Sequence, residues 1–349
     1  MHAFDEFSPL CEVVVGRIEG GQLPTIRDRS RWLNLYPDQP TQAGTPAGRL
    51  DERVVAETAE DLDDLAQTLC GLGVRVHRPA LVDHTVRFAT PDWAADGFYS
   101  YCPRDLVLVA GTTLIETPSP MRARFFETRA LAPLFQAKMR AGAAWISAPK
   151  PCLSDELYPL GPDGLPTLGE AEPAFEAANI LRCGRDLFYL VSGSGNEQGR
   201  RWLETTLAAL GQDFRVHALR GVYRGTHIDS TICLLRPGLV LLNPSRVCPE
   251  TIPDLLRGWD VVWCPPMTGR PTPSGAFPLS SEWIGMNLLM AAPDLALVDS
   301  EQSALIRELE RHRIQVAPVR LRHARTLGGG VHCTTLDLVR AAPCVDYFA

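Results

Sequence analysis

The sequence predicts an α/β fold: a five-bladed α/β propeller of pseudo-fivefold ββαβ modules, closed by the N- and C-terminal strands. Two observations carry this expectation. One grammar recurs four times along the chain: apolar strand, tight Gly/Pro/Asp turn, second apolar strand, helical stretch, third strand. The segments left at the two ends make a fifth copy if the ends meet, and a ring of blades leaves only short sheet edges exposed. An open α/β sheet with inserted hairpins is the competing arrangement.

CEVVVGRI (11–18) reads as the strand that meets the C-terminal GVHCTTLDLVR (330–340); ETAEDLDDLAQTLCGLG (57–73) and VRVHRPA (74–80) supply that blade's helix and last strand. The four internal hairpins are DLVLVAGTTLIETP (105–118), NILRCGRDLFYLVS (179–192), STICLLRPGLVLLNP (230–244) and NLLMAAPDLALVD (287–299). β-branched content and turn chemistry make them hairpins. Each is followed by a stretch of helical spacing: RARFFETRALAPLFQAKMRAG, GRRWLETTLAALG, PETIPDLLRG and EQSALIRELERHR. The third strands are AAWISAP, DFRVHAL, WDVVWCP and IQVAPVRL. Residues 1–349 thus form one domain. Three segments fall outside the modules, 27–53, 154–173 and 265–281, all rich in Pro, Gly and polar residues. Loops of that length in a compact domain are usually lids or binding loops.

Composition narrows the function. The chain has 349 residues, 45% hydrophobic and 21% charged, enough for a substantial core. A net charge of -7 argues against a nucleic-acid partner, which would need a basic face, and favours small-molecule substrates. No apolar run approaches the roughly 18 residues of a spanning helix, so no membrane partner is expected. The N-terminus opens MHAFDEF, acidic where a signal peptide is basic, and a cytoplasmic location is expected. Ten scattered cysteines form no CxxC pair, which suggests neither a zinc site nor a disulfide framework.

A ring brings equivalent positions of its blades together. At the entry to the modules stand Asp105, Glu176, His227 with Asp229, Ser281, and His332 with Cys333. Taken singly, each has a plain structural role as turn former, solvated charge or core residue. Taken together they assemble a chemistry. A thiol of pKa about 8.5 needs a partner to take its proton; His227 suits that task, and Glu176 suits fixing its tautomer. Two further carboxylates, Asp105 and Asp229, suit a planar guanidinium cation. Gly328, Gly329 and Gly330 would let the backbone adopt unusual dihedrals and approach a substrate closely. His332, on the opposite face of a strand from Cys333, is expected to be structural.

The motifs PRDLVLV, RARFFETRA, APKPCLSDELY, FEAANILRCGRD, RGTHIDSTICLLRPGLVLLNPSR, SSEWIGMNLLM and LGGGVHCTTLD occur in that order. From about residue 100 onward they resemble the amidinotransferase family, which includes glycine- and inosamine-phosphate-type enzymes. The resemblance implies a five-bladed α/β propeller that moves an amidino group from L-arginine to an amine and releases ornithine. It implies Cys333 as nucleophile, His227 as general acid and base, Glu176 as its partner, and Asp105 and Asp229 as guanidinium ligands. Arg246 and Ser281 match positions that hold the amino-acid carboxylate. Glu176 and Asn179 depart from the acids of the glycine- and inosamine-type enzymes, which leaves Glu176 to serve either His227 or the guanidinium, with Asn179 in the donor site. No metal or organic cofactor is implied, and a homodimer would be ordinary for the family. YRGTHIDST is similar to the inosamine-phosphate type; Thr226 and Gly225 before the histidine imply an acceptor larger than glycine, such as an amino-cyclitol.

Overall fold

Each internal hairpin forms around a turn that its own residues dictate. Val107–Ala110 returns as Thr113–Glu116 through Gly111 at φ +58°, and Ile232–Arg236 returns as Leu239–Leu242 through Gly238 at φ +79°. A residue without Cβ meets no penalty there. Ile180–Cys183 pairs in the same antiparallel way with Asp186–Leu190, and Leu289–Ala292 with Leu295–Asp299. A third strand lies parallel to the second in every case: Ala144–Ser147, Arg215–Leu219, Asp260–Trp263 and Gln315–Val319.

The two chain ends build the fifth sheet. Leu10–Val15 runs antiparallel to Thr335–Arg340, with Val13 opposite Asp337 and Val15 opposite Thr335, and parallel to Arg75–His77. The computed structural model describes residues 1–34, 45–269 and 278–349. Within them, five three-stranded sheets of one topology form a five-bladed α/β propeller.

Helices cover the sheets where apolar residues recur on one face. Helix α1 (Glu52–Gly71), capped by the Asp51 side chain, buries Leu62, Leu65 and Leu69. α2 (Ala132–Arg140) buries Phe135, and α3 (Glu197–Ala209) buries Leu203 and Leu207. The Asn196 side chain caps α3, its Oδ1 accepting from the Gly199 N–H at 2.8 Å. α4 (Ser303–Arg311) buries Leu305 and Leu309.

Two expected helices are corrected. In 122–142 only α2 is α-helical; Arg122–Arg124 and Glu127–Leu131 are 3-10 turns. Arg122 and Arg124, two residues apart, are both buried against carboxylates, whereas a helix would face them in different directions. The third blade has no α-helix, only 3-10 turns at Pro249–Thr251 and Asp254–Leu256. Pro253 interrupts PETIPDLLRG, since proline lacks the N–H and clashes with the carbonyl four residues back.

An ionic network that the sequence did not announce ties the blades together. Buried Asp337, on the closing strand, accepts from Arg104 Nη2 at 2.5 Å, Arg182 Nη2 at 2.6 Å and Arg340 Nε at 2.8 Å. Glu6 accepts from Arg182 Nε at 2.8 Å. Parts of two expected lid segments, 35–44 and 270–277, lie outside the described residues. Around them, Arg31, Trp32, Thr45 and Leu279 line the same pocket as Asp105 and His227. The segment 154–173 instead packs Leu157, Tyr158 and Leu168 into an apolar cluster with Leu33 and Trp93.

Candidate active site

Cys333 stands in a turn, not in the strand expected for it. The strand begins at Thr335; Val331–Thr334 curl back, with the Thr334 N–H donating to the Gly330 carbonyl at 3.0 Å. Strand alternation therefore does not separate His332 from Cys333. Asp229 Oδ2 accepts from the Cys333 thiol at 3.2 Å and lies 3.2 Å from His332 Nδ1. His332 thus positions a site carboxylate.

The glycines before this turn serve packing. Gly328 caps a short helical turn (Ala324–Leu327) at φ +83°. A Cβ on Gly329 would stand 2.4 Å from Cys102 Sγ, and one on Gly330 would stand 2.7 Å from the Asn287 side chain. Gly329 and Gly330 thus pack against Cys102 and Asn287, while Gly328 lines the pocket that holds Asp105 and His227. Asn287 holds the thiol from two sides: its amide lies 3.2 Å from Cys333 Sγ, and its carbonyl accepts from the Cys333 N–H at 3.0 Å.

His227 leads into the third hairpin with φ +61°, a left-handed conformation uncommon outside glycine and held by its surroundings. Its Nε2 lies 2.5 Å from Glu176 Oε2. The other Glu176 oxygen accepts from Ser119 Oγ at 2.7 Å and Arg124 Nη1 at 3.3 Å. Both oxygens being engaged, Glu176 is the partner of His227. Asp105, in the 3-10 turn Pro103–Asp105, accepts from Arg124 Nη1 at 2.8 Å through Oδ2. Its Oδ1 is buried without a hydrogen bond, 3.9 Å from His227 Nδ1. An orphaned carboxylate oxygen in such a place suits an arriving cation.

Arg246 donates to Ser230 Oγ and Thr231 Oγ1 at 2.9 Å each and to Ser281 Oγ at 2.9 Å. It is thereby joined to Ser281 and to the residues following Asp229. Asn179 is turned elsewhere. Its amide donates to Leu190 O at 2.8 Å and Ser192 Oγ at 2.9 Å, and its carbonyl accepts from Ser194 Oγ at 2.6 Å. Those bonds tie the side chain to the end of the second hairpin and the loop that follows it.

The charges form an ordered set. Burial opposes ionisation of Glu176, yet the Arg124 and His227 charges hold it down to about 2. Burial also opposes charge on His227, but Asp105, the Cys333 contact and Glu176 outweigh it and hold the imidazolium well above the usual range. Burial raises Asp105; Asp229 is kept low against burial chiefly by His332. The Cys333 thiol is pushed up by Cys102, burial and the Asp229 charge, with His227 pulling the other way. These influences favour an imidazolium–carboxylate pair beside a protonated thiol. Asp105, Glu176 and His227 bring potential metal-ligand atoms within 4.8 Å of one another, but Arg124 already balances that cluster.

Arg124, Ser119, Asn287 and Cys102 were not singled out from sequence, though Arg124 and Asn287 lie inside the quoted motifs. A signal was available for Arg124: the pair of arginines in RARFF on an otherwise apolar run.

The five-bladed propeller fold is that of the amidinotransferases, and the DDAH of Pseudomonas aeruginosa shares the fold at a TM-score of 0.60 and 16% identity. No family model matches the chain. It is 48% identical over 345 residues to inosamine-phosphate amidinotransferase 1 of Streptomyces glaucescens, covering 98% of this chain and 97% of that one. It is 35% identical to the mitochondrial glycine amidinotransferase of Xenopus laevis over 99% of this chain and 84% of that one. The solved structure of the Streptomyces griseus inosamine-phosphate amidinotransferase superposes with a TM-score of 0.90 at 47% identity, covering 100% of this chain and 99% of that one. An amidinotransferase of the saxitoxin biosynthetic pathway from Microseira wollei gives 0.90 at 32%, covering 99% of both chains. The chain belongs to the amidinotransferase family and is an enzyme that transfers amidino groups. Similarity extends through the N-terminal hundred residues, beyond the quoted motifs. No helix among the described residues is long and apolar enough to cross a membrane.

Proposed function

We propose that the enzyme takes the amidino group of L-arginine onto Cys333 and passes it to an acceptor amine. Asp105 and Asp229 hold the guanidinium, while Arg246 and Ser281 hold the amino-acid carboxylate. As the guanidinium arrives Cys333 releases its proton to solvent, and its sulfur attacks the guanidino carbon. The bond from that carbon to the arginine δ-nitrogen breaks, and His227 gives the departing nitrogen its proton, so L-ornithine leaves and an amidino-cysteine remains. The acceptor amine attacks the same carbon, gives a proton to His227, and the carbon–sulfur bond breaks to restore the thiolate. Two half-reactions on one thiol give ping-pong kinetics.

The observation that carries this reading is that Asp229 Oδ2 lies at 3.2 Å from the thiol while Asp105 Oδ1 is buried without a hydrogen-bond partner. A cation between these carboxylates would sit against the sulfur. The acceptor is an amine larger than glycine, such as an amino-cyclitol, because Thr226 rather than a bulkier residue lines the pocket beside His227. The named relatives favour a role in secondary-metabolite biosynthesis. Labelled arginine incubated with a panel of amines tests the reading: without an acceptor ornithine should stop at about one equivalent per active site, multiple turnovers should require an amine, and mass spectrometry should find an amidino adduct on Cys333 that Cys333→Ala lacks. Citrulline formed equally well without an amine would instead mark a hydrolase.

A further inference from the structure

Arg246 is fixed in two ways. Along its edges the guanidinium donates to Ser230 Oγ, Thr231 Oγ1 and Ser281 Oγ, at 2.9 Å each, and to the Ser230 carbonyl at 3.1 Å. Across its face lies the ring of Tyr223, whose centroid is 3.7 Å from the guanidinium carbon. So close an approach to the centroid is possible only over the ring face, and it is van der Waals contact. Among the described residues the other arginine–aromatic contacts lie at 5.1–5.9 Å. The hydroxyls set where the cation sits; the ring sets the plane in which it lies.

The ring reaches Arg246 by folding over its own chain. A Cβ on Gly225 would stand 2.4 Å from the Tyr223 hydroxyl and 2.5 Å from the ring carbon that bears it. A larger residue at 225 would therefore collide with the ring. The Gly193 N–H donates to the Arg224 and Gly225 carbonyls at 3.2 Å each, which ties this bend to the loop after the second hairpin. Thr226 and His227 follow directly.

The mechanism above uses Arg246 for the donor's carboxylate and gives Tyr223 no task. Paired hydrogen bonds to a carboxylate depend on the orientation of the guanidinium plane, so whatever fixes that plane governs how well the carboxylate is held. We propose that Tyr223 is a positioning residue for donor recognition: its ring holds Arg246 in the plane from which it meets the donor's α-carboxylate, and Gly225 leaves the ring its place. The inference rests on the donor reading above and adds the device that makes Arg246 select an amino acid over the same guanidine without a carboxylate.

The first half-reaction needs no acceptor, so its single turnover isolates the donor. Ornithine release per active site is followed against arginine concentration, and agmatine, which is arginine without its carboxylate, is measured as a competitor. Tyr223→Leu should raise the half-saturating arginine concentration about three- to thirtyfold, the worth of a cation–aromatic contact. The maximal rate and the inhibition constant of agmatine should change little. Tyr223→Phe, which keeps the ring, should match the wild type. Gly225→Ala, which displaces the ring, should reproduce the rise and serves if Tyr223→Leu fails to fold. Arg246→Gln separates the two readings. If it weakens arginine selectively while the Tyr223→Leu and Gly225→Ala enzymes do not, or if those two weaken arginine and agmatine alike, the positioning role is overturned and the donor reading stands. An Arg246→Gln enzyme that binds arginine as the wild type does, or a wild type that releases no ornithine, overturns both.

Discussion

Nε2 of His227 lies 2.5 Å from Glu176 Oε2, and the second oxygen of that carboxylate is occupied by Ser119 and Arg124. The carboxylate charge is one of the influences that hold the imidazolium above its ordinary range. Glu176→Gln removes it, so His227 should lose its proton at a lower pH and the basic limb of the kcat profile should move acidward. Loss of a charged partner of this kind costs about 10²–10⁴-fold in kcat, with little change in KM for arginine. A basic limb that stays in place in the variant speaks against His227 as the titrating group.

Asp229 Oδ2 accepts from the Cys333 thiol at 3.2 Å. Its charge is one of the influences that raise Cys333, after Cys102 and burial. In the free wild-type enzyme, iodoacetamide should therefore alkylate Cys333 slowly at neutral pH and faster as pH rises. Asp229→Asn should lower the thiol pKa and speed alkylation at neutral pH. The same substitution should weaken arginine binding by about 1.5–3 kcal/mol, the worth of a hydrogen bond to a charged group. Slower alkylation in the variant would show that Asp229 assists thiolate formation instead of opposing it.

How far the sequence could be read follows from what each signal depends on. The ring was legible because it rests on local patterns: hairpin turns such as those at Gly111 and Gly238 repeat at intervals, and the ends match only each other. The third blade departs from the pattern because Pro253 breaks the helical spacing of PETIPDLLRG. The candidate site residues were found as side chains at equivalent blade entrances, and the structure gathers Asp105, Glu176, His227, Asp229 and Cys333 together. What escaped was everything that depends on which partner a side chain meets across hundreds of residues. Arg124 reads as a surface cation until Asp105, Glu127 and Glu176 surround it. The bonds of Asn179 to Ser192 and Ser194 are equally invisible in the sequence.

Gly330 links packing to the thiol. An added Cβ would stand 2.7 Å from Asn287 Cβ and Oδ1, and Asn287 is the residue that holds Cys333 through both backbone N–H and sulfur. Gly330→Ala should therefore displace Asn287. Overpacking of this kind costs about 1–3 kcal/mol of stability, readable as a lower Tm. Activity should fall further than stability accounts for, because the thiol loses its orientation. Asn287→Ala, which makes room, should lose activity with a smaller stability penalty. Normal turnover in Gly330→Ala would mean that Asn287 does not position the sulfur.

Asp337 offers a test of the network that joins the blades. Opposed by burial, the Arg104, Arg340 and Arg182 charges nevertheless hold its carboxyl well below the usual carboxylate range. Glu6 is likewise depressed, chiefly by Arg182 against burial. A depressed carboxyl binds fewer protons folded than unfolded. Its contribution to stability is therefore complete above the unfolded pKa of about 4 and declines as pH falls through the lower folded value. Asp337→Asn leaves three buried guanidinium groups short of a counter-charge, a loss of about 3–5 kcal/mol at pH 7. Urea titrations should show that full gap at pH 7 and a narrowing gap below about pH 4, where the wild type begins to lose the same contribution. A gap independent of pH would assign the effect to lost hydrogen bonds and shape, with no share for the charge.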